Sequence, residues 1–176
     1  MTRSVGIGAA LLLVAATAPA QSLFDLPSGV ETRWYSFENP SGRRGEGGLS
    51  QAGRKGAASK TIRAGETVVL ADVAGPGVVR RIWLTVPGRV DTLRGWVVRA
   101  YWDGQDWPSV EAPLQDFFGL PFARQVPFES ALFSNPEGRS FNSVVPMPFR
   151  QRARLTVTNE SREEASLFYD VDVTIG

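Results

Sequence analysis

The sequence predicts an all-β protein, an antiparallel jelly-roll sandwich with a long irregular Gly/Pro-rich connection over about residues 104–150. Three observations carry that reading. Segments after residue 66 alternate apolar and polar side chains with a period of two, the spacing of a strand. The first of them stop at Gly75-Pro76-Gly77, at Pro87-Gly88 and at Asp103-Gly104. No stretch beyond residue 35 repeats with a helical period.

Residues 1–20, MTRSVGIGAALLLVAATAPA, combine Arg3, an apolar run from Val5 to Ala16 and the small-residue pattern Ala18-Pro19-Ala20 before Gln21. That is the layout of a cleavable secretory signal peptide. The run is too short and too rich in Ala and Gly for a membrane span, so a secreted or periplasmic mature chain starting near Gln21 is expected. Residues 21–33 have little periodicity and read as an N-terminal tether or a short helix. A single domain, 34–176, follows.

From Trp34 to Ala64, Gly42, Gly45, Gly47, Gly48, Gly53 and Gly56 alternate with Ser and Arg, a loop of unusual length for a compact domain. Its basic cluster, Arg43, Arg44, Arg54 and Lys55, reads as a mobile solvated loop. "TVVLADV" (67–73) is a β-branched strand. "VVRRIWLTV" (78–86) sets Val78, Arg80, Ile82, Leu84 and Val86 on one face, with Val79, Arg81, Trp83 and Thr85 on the other. "GWVVRAYWDG" (95–104) sends Trp96, Val98, Ala100 and Trp102 to one side and turns at Asp103-Gly104, a hairpin-type pair. "RARLTVTNE" (152–160) opposes Ala153, Leu155 and Val157 to Arg152, Arg154, Thr156 and Thr158. "SLFYDVDVTI" (166–175) points Leu167, Tyr169, Val171, Val173 and Ile175 inward and Asp170, Asp172 and Thr174 outward, and Asn159 to Ser166 suits a hairpin loop between the last two strands.

The absences restrict the chemistry. With no Cys there is neither a disulfide framework nor a thiolate, and with no His there is no imidazole base and no zinc site of the common kind. Acid–base work falls to carboxylates, with Lys or Tyr as distant seconds. A net charge of +1 without a long charged block gives no sign of a nucleic-acid or anionic-membrane partner, and no D-x-[DN]-x-[DN]-G calcium loop occurs. No cofactor or metal is expected.

Two segments stand out. In "SVEAPLQDFFGL" (109–120), Pro108, Pro113 and Pro121 break any regular ladder and Phe117 and Phe118 supply anchors. Asp116 beside two aromatics suits a general acid, or else braces the turn at Gly119 through backbone N–H groups. Glu111 and Asp116 together suggest the paired carboxylates of a glycosidase, although an irregular segment sets no distance between them. Trp83, Trp102, Trp107 and Tyr101 suit stacking on sugar rings, with Trp96 and Trp102 as core alternatives. In "GRSFNSVVPMPFRQRAR" (138–154), Pro146-Met147-Pro148 is barred from the middle of a sheet, and Asn142 and Ser143 supply hydrogen-bonding groups for a turn or a ligand.

The ordered set "SFENPSGRRGEGG", "GRKG", "AGETVVLADVAGPGVVRRIWLTV", "YWDGQDWPSVEAPLQDFFG", "GRSFNSVVPMPFRQRARLTVTNE" and "LFYDVDV" closely resembles the N-terminal half of glycoside hydrolase family 172, from about Trp34 onward. This is a secreted family built on two jelly rolls and first catalogued as a domain of unknown function. The resemblance implies the first of those two rolls, retaining action on α-D-fructofuranosides, including difructose dianhydride, or on D-arabinofuranosides, and assembly as a homotrimer. It implies Asp116 and Asn142 as the positions nearest the ligand cleft; Phe118, Glu111 and Trp83 are expected, from their residue types, as further substrate contacts. The family's catalytic glutamates belong to the second roll, near a T-E-D-Y-like signature that this sequence does not contain, so the chain is expected to form cleft walls and to be inactive alone. The rival expectation is a non-catalytic carbohydrate-binding or assembly jelly-roll module. A self-contained enzyme using Glu111 and Asp116 is the third.

Overall fold

A computed structural model describes residues 27–53, 56–87, 90–120, 122 and 124–176. The expected signal peptide and most of the tether lie outside the described residues, as do Arg54 and Lys55. The strands, in chain order, are β1 (Glu31–Ser36), β2 (Lys60–Ile62), β3 (Thr67–Ala74), β4 (Gly77–Thr85), β5 (Trp96–Trp102), β6 (Val110–Pro113), β7 (Phe128–Glu129), β8 (Phe133–Asn135), β9 (Ser140–Ser143), β10 (Met147–Phe149), β11 (Arg152–Asn159) and β12 (Ala165–Ile175). Three helices of about one turn, α1 (Ser50–Gly53), α2 (Val90–Arg94) and α3 (Leu114–Phe117), occur where none was expected; each is too short to leave a periodic signature. Among the described residues no helix is long and apolar enough to cross a membrane.

Two antiparallel sheets form a sandwich. The larger has the order β1-β12-β4-β9-β8-β7, with β2 also beside β12 and β10 also beside β4; the smaller has the order β3-β11-β5-β6. Their inner faces enclose Tyr35, Trp96, Phe118, Phe141, Leu84, Leu155 and Val171, all essentially fully buried. At roughly 1.5–3 kcal/mol for each large apolar side chain removed from water, this shared interior is the main stabilising term.

Several expectations need correcting. β1 begins at Glu31, inside the segment expected as a tether. In β4, Arg81 pairs with Asp172 and Val79 with Val173, so Arg80 is an extra residue. That bulge inverts the alternation, and Val79 is buried together with Ile82 and Leu84. A second bulge leaves Leu70 unpaired opposite β11, between Val69↔Thr156 and Ala71↔Leu155. Leu70 and Ala71 therefore both face the core, and Thr156, expected on the wet face, is buried as well.

The link from Asn159 to Ser166 is no hairpin, because β11 lies in the small sheet and β12 in the large one. It is an arch across the end of the sandwich, pinned by the buried Asn159 amide, which donates to the carbonyls of Ile62 (3.1 Å) and Glu163 (2.8 Å). The expected irregular connection is partly ordered by β6 to β10, α3 included. Pro148 sits within β10, which pairs on one side with β4, an edge position where the missing N–H costs no ladder bond. Residues 39–46 of the glycine-rich loop fold back on β1, with Arg43 still exposed to solvent. Gly42 adopts φ 62° against the Tyr35 ring, where a Cβ would overlap it. Nearby, the Asn39 amide donates to the Arg43 carbonyl (3.2 Å) and Ser41 Oγ to Glu46 (2.6 Å).

The Asp103-Gly104 turn forms as expected. Both residues have positive φ, 53° and 82°, and Gln105 N–H donates to the Trp102 carbonyl at 3.0 Å, the pattern of a type I′ turn. Asp103 also accepts from the backbone N–H groups of Arg150 (2.9 Å), Gln151 (2.7 Å) and Arg152 (3.3 Å).

Candidate functional site

The sheet register decides which outward side chains become neighbours. Across β1, β12 and β4, Trp34 stands beside Asp172 and Arg81; one pair further along, Ser36, Asp170 and Trp83 align, with Asn142 of β9 next to Trp83. Phe168, Thr85 and Ser140 form the following row. Because successive strand residues alternate between faces, all of these project away from the core that holds Tyr35, Val171, Ile82 and Phe141.

Two depressions lie on this face. One, of about 170 Å³, is lined by Trp34, Ser36, Glu38, Ala57, Trp83 and Asp170 among others; the second, of about 400 Å³, by Trp83, Thr85, Glu137, Arg139, Ser140 and Phe168. Trp83 and Phe168 line both, so the two form one groove with an aromatic sill. The Trp83 indole is held by its N–H, which donates to Ser140 Oγ at 2.8 Å. Asn142 Nδ2 in turn donates to the Ser140 carbonyl at 3.1 Å.

The charge in the groove is arranged around Arg81. Its Nη2 donates to Asp170 (2.7 Å) and its Nε to Asp172 (2.8 Å). The Asp170 side chain is only 14% exposed. Burial pushes its carboxyl above the usual Asp range and Asp172 adds to the rise, while the Arg81 guanidinium and the Trp34 indole oppose it. Burial alone pushes the neighbouring Tyr169 hydroxyl up to about 12, so it stays protonated, with its ring edge-on to Phe37 at 4.7 Å. Glu38 accepts from the Ala57 backbone N–H (3.3 Å). Among the described residues no group of three or more acidic side chains is placed to hold a metal ion.

This mixture of aromatic faces and carboxylate acceptors suits a polyhydroxylated ligand: ring C–H groups stack on indole, and hydroxyls reach Asp170 and Glu38.

The structure divides the sequence-predicted residues. Trp83 lines the groove; Asn142 is its register neighbour on β9 but lines neither depression. Glu111 lies on the opposite sheet, paired with Arg99 at 2.7 Å. Asp116 lies on α3, where both its oxygens are engaged by Arg94 of α2 (2.9 and 3.2 Å). It braces the corner, but through an arginine rather than through the Gly119 N–H, which bonds the Asp116 backbone carbonyl. Phe118, expected to touch substrate, is instead enclosed in the core, packed on Phe117 and Phe141 at ring-centroid distances of 4.9 and 5.8 Å. Glu111 and Asp116 thus have separate arginine partners and separate elements. Sequence reasoning missed Asp170, Trp34, Glu38 and Phe168 as groove residues. For Asp170 the available signal was its outward position in the β12 alternation, which shows exposure but not what stands opposite.

Among curated proteins no relative matches the chain. A family model described as the GH172 first beta-sandwich domain matches residues 36–175, which takes in every strand from the end of β1 to β12. The two-sheet architecture and the ordered motifs agree with that match, and the chain belongs to the GH172 glycoside hydrolase family, as its first β-sandwich domain.

Proposed function

We propose that this chain is the jelly-roll half of an exported glycoside hydrolase acting on furanosides, either an α-D-fructofuranoside or a D-arabinofuranoside. In this reading it forms the sugar-stacking wall of the cleft, while a second sandwich supplies the acid and the nucleophile. The orders β1-β12-β4-β9 and β3-β11-β5-β6, with the first and last strands side by side, support the jelly roll, since two interlocked Greek keys produce them. The observation that carries the cleft is Trp83, fixed by Ser140 and shared by both depressions beside the half-desolvated Asp170.

Retaining chemistry needs two carboxyl groups about 5–5.5 Å apart on either side of the bond. Asp170, Glu111 and Asp116 are each engaged by an arginine instead, which supports a binding rather than a bond-breaking role for this half. The same ion pairing favours a second reading, a carbohydrate-binding or assembly module with no chemistry at all.

Titrating the full chain with fructofuranosyl and arabinofuranosyl oligosaccharides, followed by Trp fluorescence, tests the cleft. Saturable binding that Trp83→Ala weakens about tenfold is expected, about 1.4 kcal/mol of stacking. A flat titration removes the cleft. Sugar release by this chain, abolished by Glu111→Gln or Asp116→Asn, overturns the division of labour. Absence of turnover in the longest natural form of the protein selects the binding module. Export rests on residues 1–20 and is checked by N-terminal sequencing of the protein recovered outside the cytoplasm, with Gln21 expected first. The trimer rests on family resemblance and is checked by solution mass.

A further inference from the structure

The outer face of the small sheet carries three arginines, and they differ in one respect. Arg99 is tied to Glu111 (2.7 Å) and Glu160 (2.6 Å), and Arg152 is tied through two hydrogen bonds of 2.6 Å to Asp72. Arg154 has no carboxylate partner among the described residues; its guanidinium carbon lies 5.7 Å from the centroid of the Tyr101 ring, its register neighbour on β5. Cation–π stacking of this kind holds a guanidinium in place without using its N–H donors. Asp72, the register partner of Arg154 on β3, bonds Arg152 through both oxygens and makes no ion pair with Arg154.

Arg154 and Tyr101 open onto a cavity of about 190 Å³ completed by Arg152, Gly104, Gln105 and Asp106. A second depression, of about 390 Å³, continues from Gln105 and Asp106 to Trp107, Pro108 and Ser109. Trp107 is 83% exposed, an indole face open to solvent at the end of that trough. The trough is preformed. The type I′ turn sets Gly104, Asp103 clamps the backbone of residues 150–152, and Ser109 Oγ donates to Gln105 Oε1 at 2.7 Å, leaving the Gln105 amide N–H groups for a ligand.

We propose that this trough is a second glycan site, on the sheet opposite the Trp83 groove, and that it takes an acidic sugar residue. The acid group, carboxylate or sulfate, accepts from the free N–H groups of Arg154. The sugar ring stacks on Trp107, and its hydroxyls donate to the Asp106 carboxylate and accept from the Gln105 amide. An exposed aromatic plane, a guanidinium without a carboxylate partner among the described residues and a carboxylate acceptor along one trough match an acidic sugar better than a neutral one, which leaves the Arg154 donors without an anion. The proposal is independent of the furanoside reading, because it uses none of the groove residues.

Isothermal titration of the full chain with tri-galacturonate, with sulfated lactose and with the neutral trisaccharide kestose tests it. At least one acidic probe is expected to bind saturably, with affinity falling as salt rises. Arg154→Met and Trp107→Ala are each expected to weaken that binding at least tenfold, Arg154→Lys less than Arg154→Met, and Trp83→Ala not at all. Both lost side chains lie outside the core, so unchanged circular dichroism of the variants is the accompanying control. No saturable binding of either acidic probe, binding indifferent to Arg154→Met, or equal binding of kestose overturns the proposal. Acidic-probe binding abolished by Trp83→Ala overturns it too, by assigning the ligand to the other face. A loss of furanoside binding alone touches only the earlier reading.

Discussion

The two outer faces of the sandwich carry the same ionic motif, one arginine gripping two carboxylates, in different surroundings. On the large sheet Arg81 holds Asp170 and Asp172 beneath Trp34 and Trp83, with Asp170 14% exposed. On the small sheet Arg99 holds Glu111 and Glu160, whose side chains are 55% and 48% exposed. Stoichiometry and distances are nearly equal; the desolvation of the carboxylates is not, although the Arg99 side chain, at 20%, is less exposed than that of Arg81, at 37%. A carboxylate that has lost water depends on its arginine and responds to pH, whereas a wet one merely gains a weak neighbour. An ion pair therefore says little about function until its burial is known.

The comparison can be broken by removing each arginine in turn. Arg81→Leu leaves two neighbouring carboxylates on a partly desolvated face. Deleting one partner of a fully buried pair costs about 3–5 kcal/mol, and the 37% exposure of the Arg81 side chain reduces the expected loss to about 2 kcal/mol. For a chain of this size that is a fall in Tm of about 4–8 °C. Arg99→Leu is expected to cost at most about 1 kcal/mol. Equal losses in urea or thermal unfolding would erase the distinction between the faces.

The pH dependence sharpens it. Asp170, raised by burial, is protonated in both folded and unfolded chains at low pH. As pH climbs from the ordinary Asp range to its raised value, the unfolded chain gives up the proton first and stability declines. Asp103, at the end of β5 in the small sheet, behaves oppositely. The N–H groups of Gln151, Arg152 and Arg150 hold its carboxyl below the usual value, so its contribution is present above that value and lost as pH falls through the depressed one. Asp170→Asn is expected to flatten the first slope and Asp103→Asn the second, in Tm measured between acid and neutral pH. Asn keeps the left-handed backbone that Asp103 needs, so only charge changes there. If both substitutions alter the same limb, the assignment of opposite signs is wrong. The smallest effect is expected from Glu111→Gln, within about 0.5 kcal/mol, because the side chain it alters is mostly in water.

How far the site was legible follows from particular residues. β12 was read correctly throughout because its own alternation is unbroken: Leu167, Tyr169, Val171 and Val173 are all buried. β4 was misread because the extra residue at Arg80 exists only relative to β12, and a single strand's period cannot reveal what two paired strands do. Trp83 and Asn142 were both singled out from the sequence, but their adjacency comes from the β4–β9 register, and only Trp83 lines the groove. Glu111 and Asp116 looked like partners because they are close in the chain; β6 and α3 give each a different arginine. Asp170 lies far from Trp83 in sequence and directly opposite it in the sheet.

By itself the sequence determined the all-β character and the inward faces of β5 and β12, and, through the absence of His and Cys, that no imidazole or thiol of this sequence does acid–base work, which leaves carboxylates first, then Lys or Tyr. Alternation and composition are properties of the chain alone, so no folding is needed to read them. Tertiary structure decided which carboxylate is desolvated, which tryptophan lines a groove and which arginine on the small sheet has no carboxylate partner among the described residues. Each of these depends on atoms brought from distant strands, and on the water those atoms displace.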